Sequence, residues 1–181
     1  MKPGRWLEHD YGAEAAQRLL DAAGELFAEH GVAAVGMADV ASAAGCSRAT
    51  LYRYFASRTD LRTAFVHREA RRVGAAVVAE LDGITEPRER AVAGAQAAVR
   101  RVRLDPTLSG WFRDDAGGIA MSLAQSSPVI ETIVGAFLGD AADTEVKRRA
   151  RWLVRVIVSL LAMPGTDAAD ERALLERFVR A

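Results

Sequence analysis

A short segment of the chain brings together side-chain types that bind nucleic acid. Between Asp39 and Asp60 there is no acidic residue, and arginines, tyrosines and a threonine follow one another closely. An arginine can place two parallel donors on a guanine edge, whereas the hydroxyls of Thr50, Tyr52 and Tyr54 can bond phosphates. Either tyrosine could pack in a core instead, and Tyr52 is the better candidate for a phosphate contact. The residues predicted to contact DNA are Met37, Arg48, Ala49, Thr50, Tyr52, Arg53, Tyr54 and Arg58.

Two short helices around a tight turn would hold these side chains. Gly45 stands where a chain leaving a helix needs a left-handed residue, and the hydroxyl of Ser47 can cap the helix that follows. On that second helix Leu51 and Phe55 lie four residues apart and face inward. The predicted contacts then occupy the outer surface, which is the layout of a helix-turn-helix that reads a major groove.

The spacing of apolar residues predicts helices along the whole chain. From Ala16 to Phe27, for example, apolar residues recur every three or four positions. Three of the later helices would begin with a proline, whose missing N–H costs nothing in a first turn. The predicted helices span 13–30, 37–44, 48–54, 58–81, 87–102, 106–112, 116–124, 128–138, 144–163 and 167–180. Since no strand alternation is present, the fold is predicted to be all-α.

Charge and cysteine content narrow the classes of function. The 24 basic and 24 acidic side chains cancel, so a nucleic-acid partner is indicated only by a local basic face. That face would carry Arg48, Arg53, Arg58 and Arg62. Cys46 is the single cysteine and cannot form an internal disulfide, which fits a reducing cytoplasm. The N-terminal residues lack the apolar run of a signal peptide, and the apolar stretch 156–163 is too short for a bilayer, so a cytoplasmic protein without a membrane role is predicted.

Motifs for catalysis or metal binding are not found in the sequence. His9, His30 and His67 are far apart and have no partner at metal-ligand helical spacing. No nucleophile elbow, phosphate loop or dinucleotide fingerprint occurs. We therefore predict no enzymatic activity, no metal and no cofactor.

Three stretches occur in a register typical of one family: AAGELFAEHG (22–31), MADVASAAGCSRATLYRYF (37–55) and SRTDL (57–61). With them the chain resembles the TetR-type transcriptional regulators. The resemblance implies a three-helix DNA-binding domain over 1–60, joined by a long helix to a helical domain for ligand binding and dimerisation over 61–181. It also implies release from DNA when a small molecule binds. A symmetric dimer places two recognition helices in successive major grooves, so a palindromic double-stranded DNA operator and a repressor role are expected.

The chain departs from the family pattern at three positions. Gly36 stands where the family usually has Thr or Ser, which removes a hydroxyl that caps the helix and touches a phosphate. Arg58 replaces the usual Lys and retains the charge. Cys46 replaces an apolar residue, often Val, and fills a similar space.

The C-terminal half contains candidates for a ligand pocket. Glycines at 110, 117 and 118 weaken the local helix, which suits a cavity entrance. The residues predicted to line a pocket are Trp111, Phe112, Met121, Phe137 and Trp152. Arg113, Asp114, Asp115 and Gln125 are the polar groups near them. The same large side chains could equally form a plain core. If they form a pocket, its effector is an apolar small molecule.

The penultimate helix is apolar almost all round, and one stripe suffices for the core of a domain. The surplus is predicted to meet a second copy of the chain in an isologous four-helix interface. The predicted interface residues are Leu153, Ile157, Leu161, Leu174 and Phe178. A homodimeric, ligand-responsive DNA-binding regulator is the function favoured by these observations. The alternatives are a regulator that senses no small molecule, a helical carrier and a helical interaction module.

Overall fold

The computed structural model describes residues 5–112, 117–138 and 143–179, with side chains from residue 12 onward. These residues form ten α-helices and one 3-10 turn, and no strand occurs among them, so the predicted all-α fold is confirmed. The helices are α1 (Arg5–His30), α2 (Met37–Ala43), α3 (Arg48–Tyr54), α4 (Arg58–Glu80), α5 (Pro87–Leu104), α6 (Pro106–Ser109), α7 (Gly117–Ser126), α8 (Pro128–Leu138), α9 (Thr144–Ala162) and α10 (Ala168–Phe178). The 3-10 turn, Gly110–Phe112, follows α6 directly.

The chain forms two compact units that divide between Phe65 and Val66. This division lies inside α4, whereas the sequence analysis placed a domain boundary after residue 60. The difference arises because the first two turns of α4 contribute buried side chains, Leu61 and Phe65, to the N-terminal unit. A boundary placed at the start of the helix therefore cuts through the core of that unit.

The N-terminal unit is built around two aromatic rings. Phe27 from α1 and Phe65 from α4 meet edge to face, with ring centroids 5.3 Å apart. The buried side chains of α2 and α3 join them, including Val40 and Leu51, which are fully enclosed. Helix α1 begins at Arg5 rather than at residue 13 as predicted, because a helix continues through a polar run that periodicity does not detect.

In the second unit α5 packs against α8, α9 and α10, and α8 lies against α9. The caps of these helices were readable in the sequence. Pro87, Pro106 and Pro128 occupy first helical positions, and Asp143 and Asp167 accept hydrogen bonds from backbone N–H groups at the starts of α9 and α10. These signals explain why most predicted bounds lie within two residues of the observed ones.

A buried carboxylate anchors the turn between α9 and α10. Glu171 is almost fully buried and accepts two hydrogen bonds from Arg103 of α5, at 2.9 and 2.6 Å. It also accepts one from the backbone N–H of Gly165, at 2.9 Å. The same arginine donates to the carbonyl of Leu160 at 2.7 Å. The hydrogen bonds from Arg103 hold the pKa of Glu171 below its usual value. This carboxylate therefore connects α5 to the α9–α10 turn while it is ionised.

We expect Glu171→Gln to destabilise the chain by about 1–3 kcal/mol at neutral pH, since charge-assisted hydrogen bonds are lost from a buried site. Because the folded-state pKa is lowered, the contribution is present above the unfolded value of about 4.5 and disappears as the pH falls through the folded value. Urea unfolding midpoints at pH 7 and pH 4 measure both effects. Glu176→Gln, which breaks only the exposed pair with Arg172, is the matched control. Equal midpoints for the Glu171 variant and the parent at pH 7 would contradict the assignment.

Candidate nucleic-acid interface and ligand cavity

The turn between α2 and α3 has the conformation that its residues predict. Gly45 lies at φ 65°, in the left-handed region that favours glycine. The N–H of Cys46 donates to the carbonyl of Ala41 at 2.9 Å, which closes the end of α2. Ser47 then caps α3 by accepting a hydrogen bond from the N–H of Thr50 at 3.0 Å. These local bonds orient α3 without help from distant residues.

Helix α3 presents one face to solvent. Leu51 is fully buried and Phe55 nearly so, which turns the opposite side outward. On that side Arg48, Ala49, Tyr52 and Arg53 are exposed, while Thr50 and Tyr54 are half-buried. The structure therefore brings six of the predicted DNA contacts together on one helix.

Two of these side chains already have partners within α3. The hydroxyl of Thr50 lies 2.9 Å from that of Ser47. The guanidinium of Arg53 lies 5.4 Å from the centre of the Tyr54 ring, within cation–π range. The ring of Tyr54 is thus partly packed, and Tyr52, with 48% of its surface exposed, has the more accessible hydroxyl.

Two expectations for the basic face need correction. Met37 is only 8% exposed because it packs into the core at the start of α2, so its side chain does not face solvent as a DNA contact would. Arg62 is also buried, and it donates a hydrogen bond to the carbonyl of Val32. Burial, with repulsion from Arg58, lowers the pKa of Arg62. Its charge therefore belongs to the interior of the N-terminal unit rather than to the basic face.

Arg58 stays on the surface and donates to the carbonyl of Ala33 at 3.2 Å. The main chain of Gly36 also finds a partner, since its N–H donates to the carboxylate of Asp39 at 2.8 Å. The missing hydroxyl at position 36 therefore leaves the start of α2 with one hydrogen bond rather than the reciprocal pair of a full capping box.

The second unit encloses an apolar cavity of about 150 Å³. Trp111, Phe112 and Phe137 line it, as predicted from the sequence. Met121 and Trp152 do not: they are 36% and 41% exposed and lie outside the lining. Both positions are outward-facing on their helices, a choice that neighbouring helices make and that residue type does not reveal. The polar residues Arg113, Asp114 and Asp115 lie outside the described residues, and Gln125 does not line the cavity.

Most of the cavity wall was missed by the sequence analysis. Helix α4 contributes a row at three- and four-residue spacing, in which Val66, Ala70 and Val73 share one side. From α8 and α9 come Ile130, Ile133, Val134, Val154, Ile157, Val158 and Leu161. Helical periodicity would have found these rows, but it does not distinguish a cavity wall from a filled core.

One ionisable side chain stands in the described wall. Glu69 is 6% exposed, and its two carboxylate oxygens accept hydrogen bonds from Arg68 at 2.8 Å and Arg72 at 2.6 Å. Arg72 in turn pairs with Asp105, which caps α6. The hydrogen bond with Glu69 raises the pKa of Arg72. The carboxylate is thus engaged on α4, and the surface that faces the cavity is almost wholly apolar.

The predicted dimer interface divides into two groups. Leu153, Ile157 and Leu161 belong to the core of their own chain and are at most 9% exposed. The apolar surplus of α9 lies on its other side, because α5 and α8 cover the stripe that these three residues form. Leu174 and Phe178 of α10 remain 43% and 60% exposed.

An apolar groove on the surface of α9 and α10 is the counterpart of that buried stripe. We call it the α9–α10 face; it comprises Trp152, Val156, Leu160, Leu174 and Phe178. Its members repeat at four-residue intervals on each helix. A face of this kind on a helix pair is typical of a surface that another chain covers.

Comparison with known proteins identifies the family. Residues 19–65 match the family described as bacterial regulatory proteins, tetR family. The chain is 47% identical over 177 residues to an uncharacterized HTH-type transcriptional regulator of Mycobacterium tuberculosis, and the match covers 96% of this chain and 88% of the relative. The chain belongs to the TetR family. As a TetR-family protein with this helix-turn-helix, it is a DNA-binding transcriptional regulator.

A second relative of this TetR-family regulator carries a repressor name. The HTH-type transcriptional repressor LfrR of Mycolicibacterium smegmatis is 31% identical over 165 residues, covering 84% of this chain and 78% of the relative. The crystal structure of RolR in complex with resorcinol shares the fold, with a TM-score of 0.73 and 22% identity over 94% of this chain and 90% of that chain.

Two searches of the described residues found no further kind of site. None of the helices is both long and apolar enough to cross a membrane. No group of three or more His, Cys, Asp or Glu side chains is placed to hold a metal ion in the part of the chain that the structure describes.

Proposed function

We propose that this TetR-family regulator is a repressor that binds a palindromic operator as a homodimer and leaves it when an apolar small molecule binds. The observation that carries the proposal is the outer face of α3, where Arg48, Tyr52 and Arg53 are exposed on a capped helix. Phosphate bonding by hydroxyls would position the helix, and arginine would read base edges in the major groove. The repressor name of the relative LfrR supports the sign of regulation.

The homodimer is supported by the α9–α10 face. Phe178, Leu174 and Trp152 together expose large apolar surfaces that a monomer would leave in water. A two-fold axis through this face would pair α9 and α10 with the same helices of a second copy. The proposed interface therefore keeps Leu174 and Phe178 from the sequence analysis and replaces the three buried residues by Trp152, Val156 and Leu160.

The sensory role is supported by the cavity and by the covalent path from it. Helix α4 contributes Val66, Ala70 and Val73 to the cavity wall and begins at Arg58, four residues after the end of α3. A ligand that prefers one position of this helix shifts the regulator toward that state. The complex of RolR with resorcinol is an example of a protein of this fold that holds a small molecule. In this chain the effector would bind and dissociate unchanged.

Selection of binding sites from random duplex DNA tests the DNA-binding part of the proposal. We expect inverted repeats whose half-sites are about 34 Å, or roughly ten base pairs, apart, because two symmetric recognition helices enter successive major grooves. The same selection with the outer face of α3 altered by Arg48→Ala and Arg53→Ala is the control. Enrichment of sequences without a repeat, or equal enrichment by the altered protein, would overturn the proposal.

A further inference from the structure

The cavity of the second unit is matched to a narrow class of ligand in size. Its volume is about 150 Å³, and its described wall consists of aliphatic and aromatic side chains, main-chain carbons and one carboxylate. Apolar cavities of about this size in other proteins stay dry and bind benzene or xenon. A molecule with one six-membered ring fills such a space, and a fused or branched polycyclic molecule does not.

The described polar groups of the wall are already occupied. Both oxygens of Glu69 accept hydrogen bonds from Arg68 and Arg72, and Arg72 also pairs with Asp105. A cationic ligand would have to displace an arginine from Glu69. An anionic ligand would have to displace Glu69 or Asp105 from an arginine. A hydroxyl group entering the cavity would lose its water without gaining a partner among these residues.

Close packing between α4 and α8 sets the size of the space. A Cβ atom added to Gly74 would lie 2.4 Å from Cγ2 of Ile133, which is closer than two carbon atoms can approach. Both residues line the cavity. The side chain of Ile133 can lie against the backbone of α4 only because position 74 has no side chain. With any larger residue there, Ile133 must shift and take up part of the cavity.

We propose that the cavity binds one uncharged molecule with a hydrocarbon surface, about the size of a single six-membered ring, and that Ile133 packed on Gly74 is the residue that limits this size. The inference rests on the proposed function, since it names the effector class of the sensory cavity. It also separates this chain from RolR, whose ligand resorcinol carries two hydroxyl groups on a ring of the same size.

A panel of small rings, measured on the purified full chain without DNA, tests the chemical class. The probes are benzene, toluene and cyclohexane, compared with phenol and resorcinol and with the ionised rings benzylammonium and benzoate. We expect the hydrocarbons to raise the thermal unfolding midpoint and to bind at least tenfold more tightly in calorimetry than the hydroxylated or ionised rings. Tighter binding of resorcinol or benzylammonium, or no binding of any hydrocarbon up to its solubility, would overturn the inference.

Substitutions at the contact test the size limit. Gly74→Ala should weaken toluene binding at least tenfold, and Gly74→Ala with Ile133→Ala should restore it, because the second change removes the clashing Cγ2 atom. Ile133→Ala alone should strengthen the binding of naphthalene at least tenfold relative to the parent. Gly118→Ala is the matched control, since a Cβ atom there meets nothing within 4 Å. Unchanged binding in both Gly74→Ala and Ile133→Ala would place the ligand elsewhere, even if Gly74→Ala by itself fails to fold.

The same compounds, tested for release of the selected operator, separate this inference from the proposed function. Hydrocarbon binding that Gly74→Ala abolishes, without operator release, would support the ligand class and overturn the sensory role. Operator release by charged or hydroxylated compounds that bind more tightly than the hydrocarbons would support the sensory role and overturn the ligand class.

Discussion

Replacing Leu174 and Phe178 together by glutamate is expected to convert the dimer into a monomer. Both side chains are exposed in the single chain, so the glutamates remain in water when the chain is alone and the fold is kept. In the dimer they would place four charges in an apolar contact, which is strongly unfavourable without partners. Operator affinity should fall by about 10²–10⁴-fold, because a monomer engages one half-site and loses the linkage between the two.

Sedimentation and operator titration measure the two effects, and circular dichroism checks that the helices remain. Ala169→Glu with Ala173→Glu is the matched control: it adds two glutamates at the same spacing on exposed positions of α10 outside the α9–α10 face. A dimer that survives the Leu174 and Phe178 changes would move the interface to another surface. Ile157→Glu, by contrast, is expected to unfold the second unit, since Ile157 is 9% exposed and lies in its core.

The second large effect is expected at the outer face of α3, where Arg53→Ala and Tyr52→Phe should weaken operator binding in different ways. Loss of an arginine that reads a base should cost about 1–3 kcal/mol and relax the preference at one position of each half-site. Loss of the Tyr52 hydroxyl should cost about 0.5–1.5 kcal/mol and weaken all sequences alike, because a phosphate contact carries no sequence information.

Titration of operator variants at several salt concentrations separates these roles. Arg18→Ala is the control, because Arg18 is exposed on α1, away from the outer face of α3. If Arg53→Ala leaves the ranking of operator variants unchanged and flattens the salt dependence, Arg53 is a phosphate contact rather than a base contact.

The sequence determined the helix-turn-helix nearly in full, because the forces that form it are local. The left-handed turn at Gly45, the cap from Ser47 and the inward pair of Leu51 and Phe55 all act within eleven residues of one another. Most later helix ends were also predicted, since proline at a first helical position and aspartate at a cap act on their nearest neighbours. The family resemblance came from the same stretch of chain.

The tertiary structure decided which side of each helix meets which neighbour. Helix α9 is apolar almost all round, so its sequence allowed either stripe to face a second chain. The packing of α5 and α8 buries Leu153, Ile157 and Leu161 and leaves Trp152 outside. The same reason removed Met121 and Trp152 from the cavity and Met37 from the basic face.

The cavity itself depends on tertiary structure, although its residues are ordinary core types in the sequence. The contact of Ile133 with Gly74 joins positions 59 residues apart, and the space beside it exists only because six segments of the second unit meet there without filling it. Periodicity reports that a side chain is buried, whereas packing among distant helices determines whether it is buried against another side chain or against an empty space.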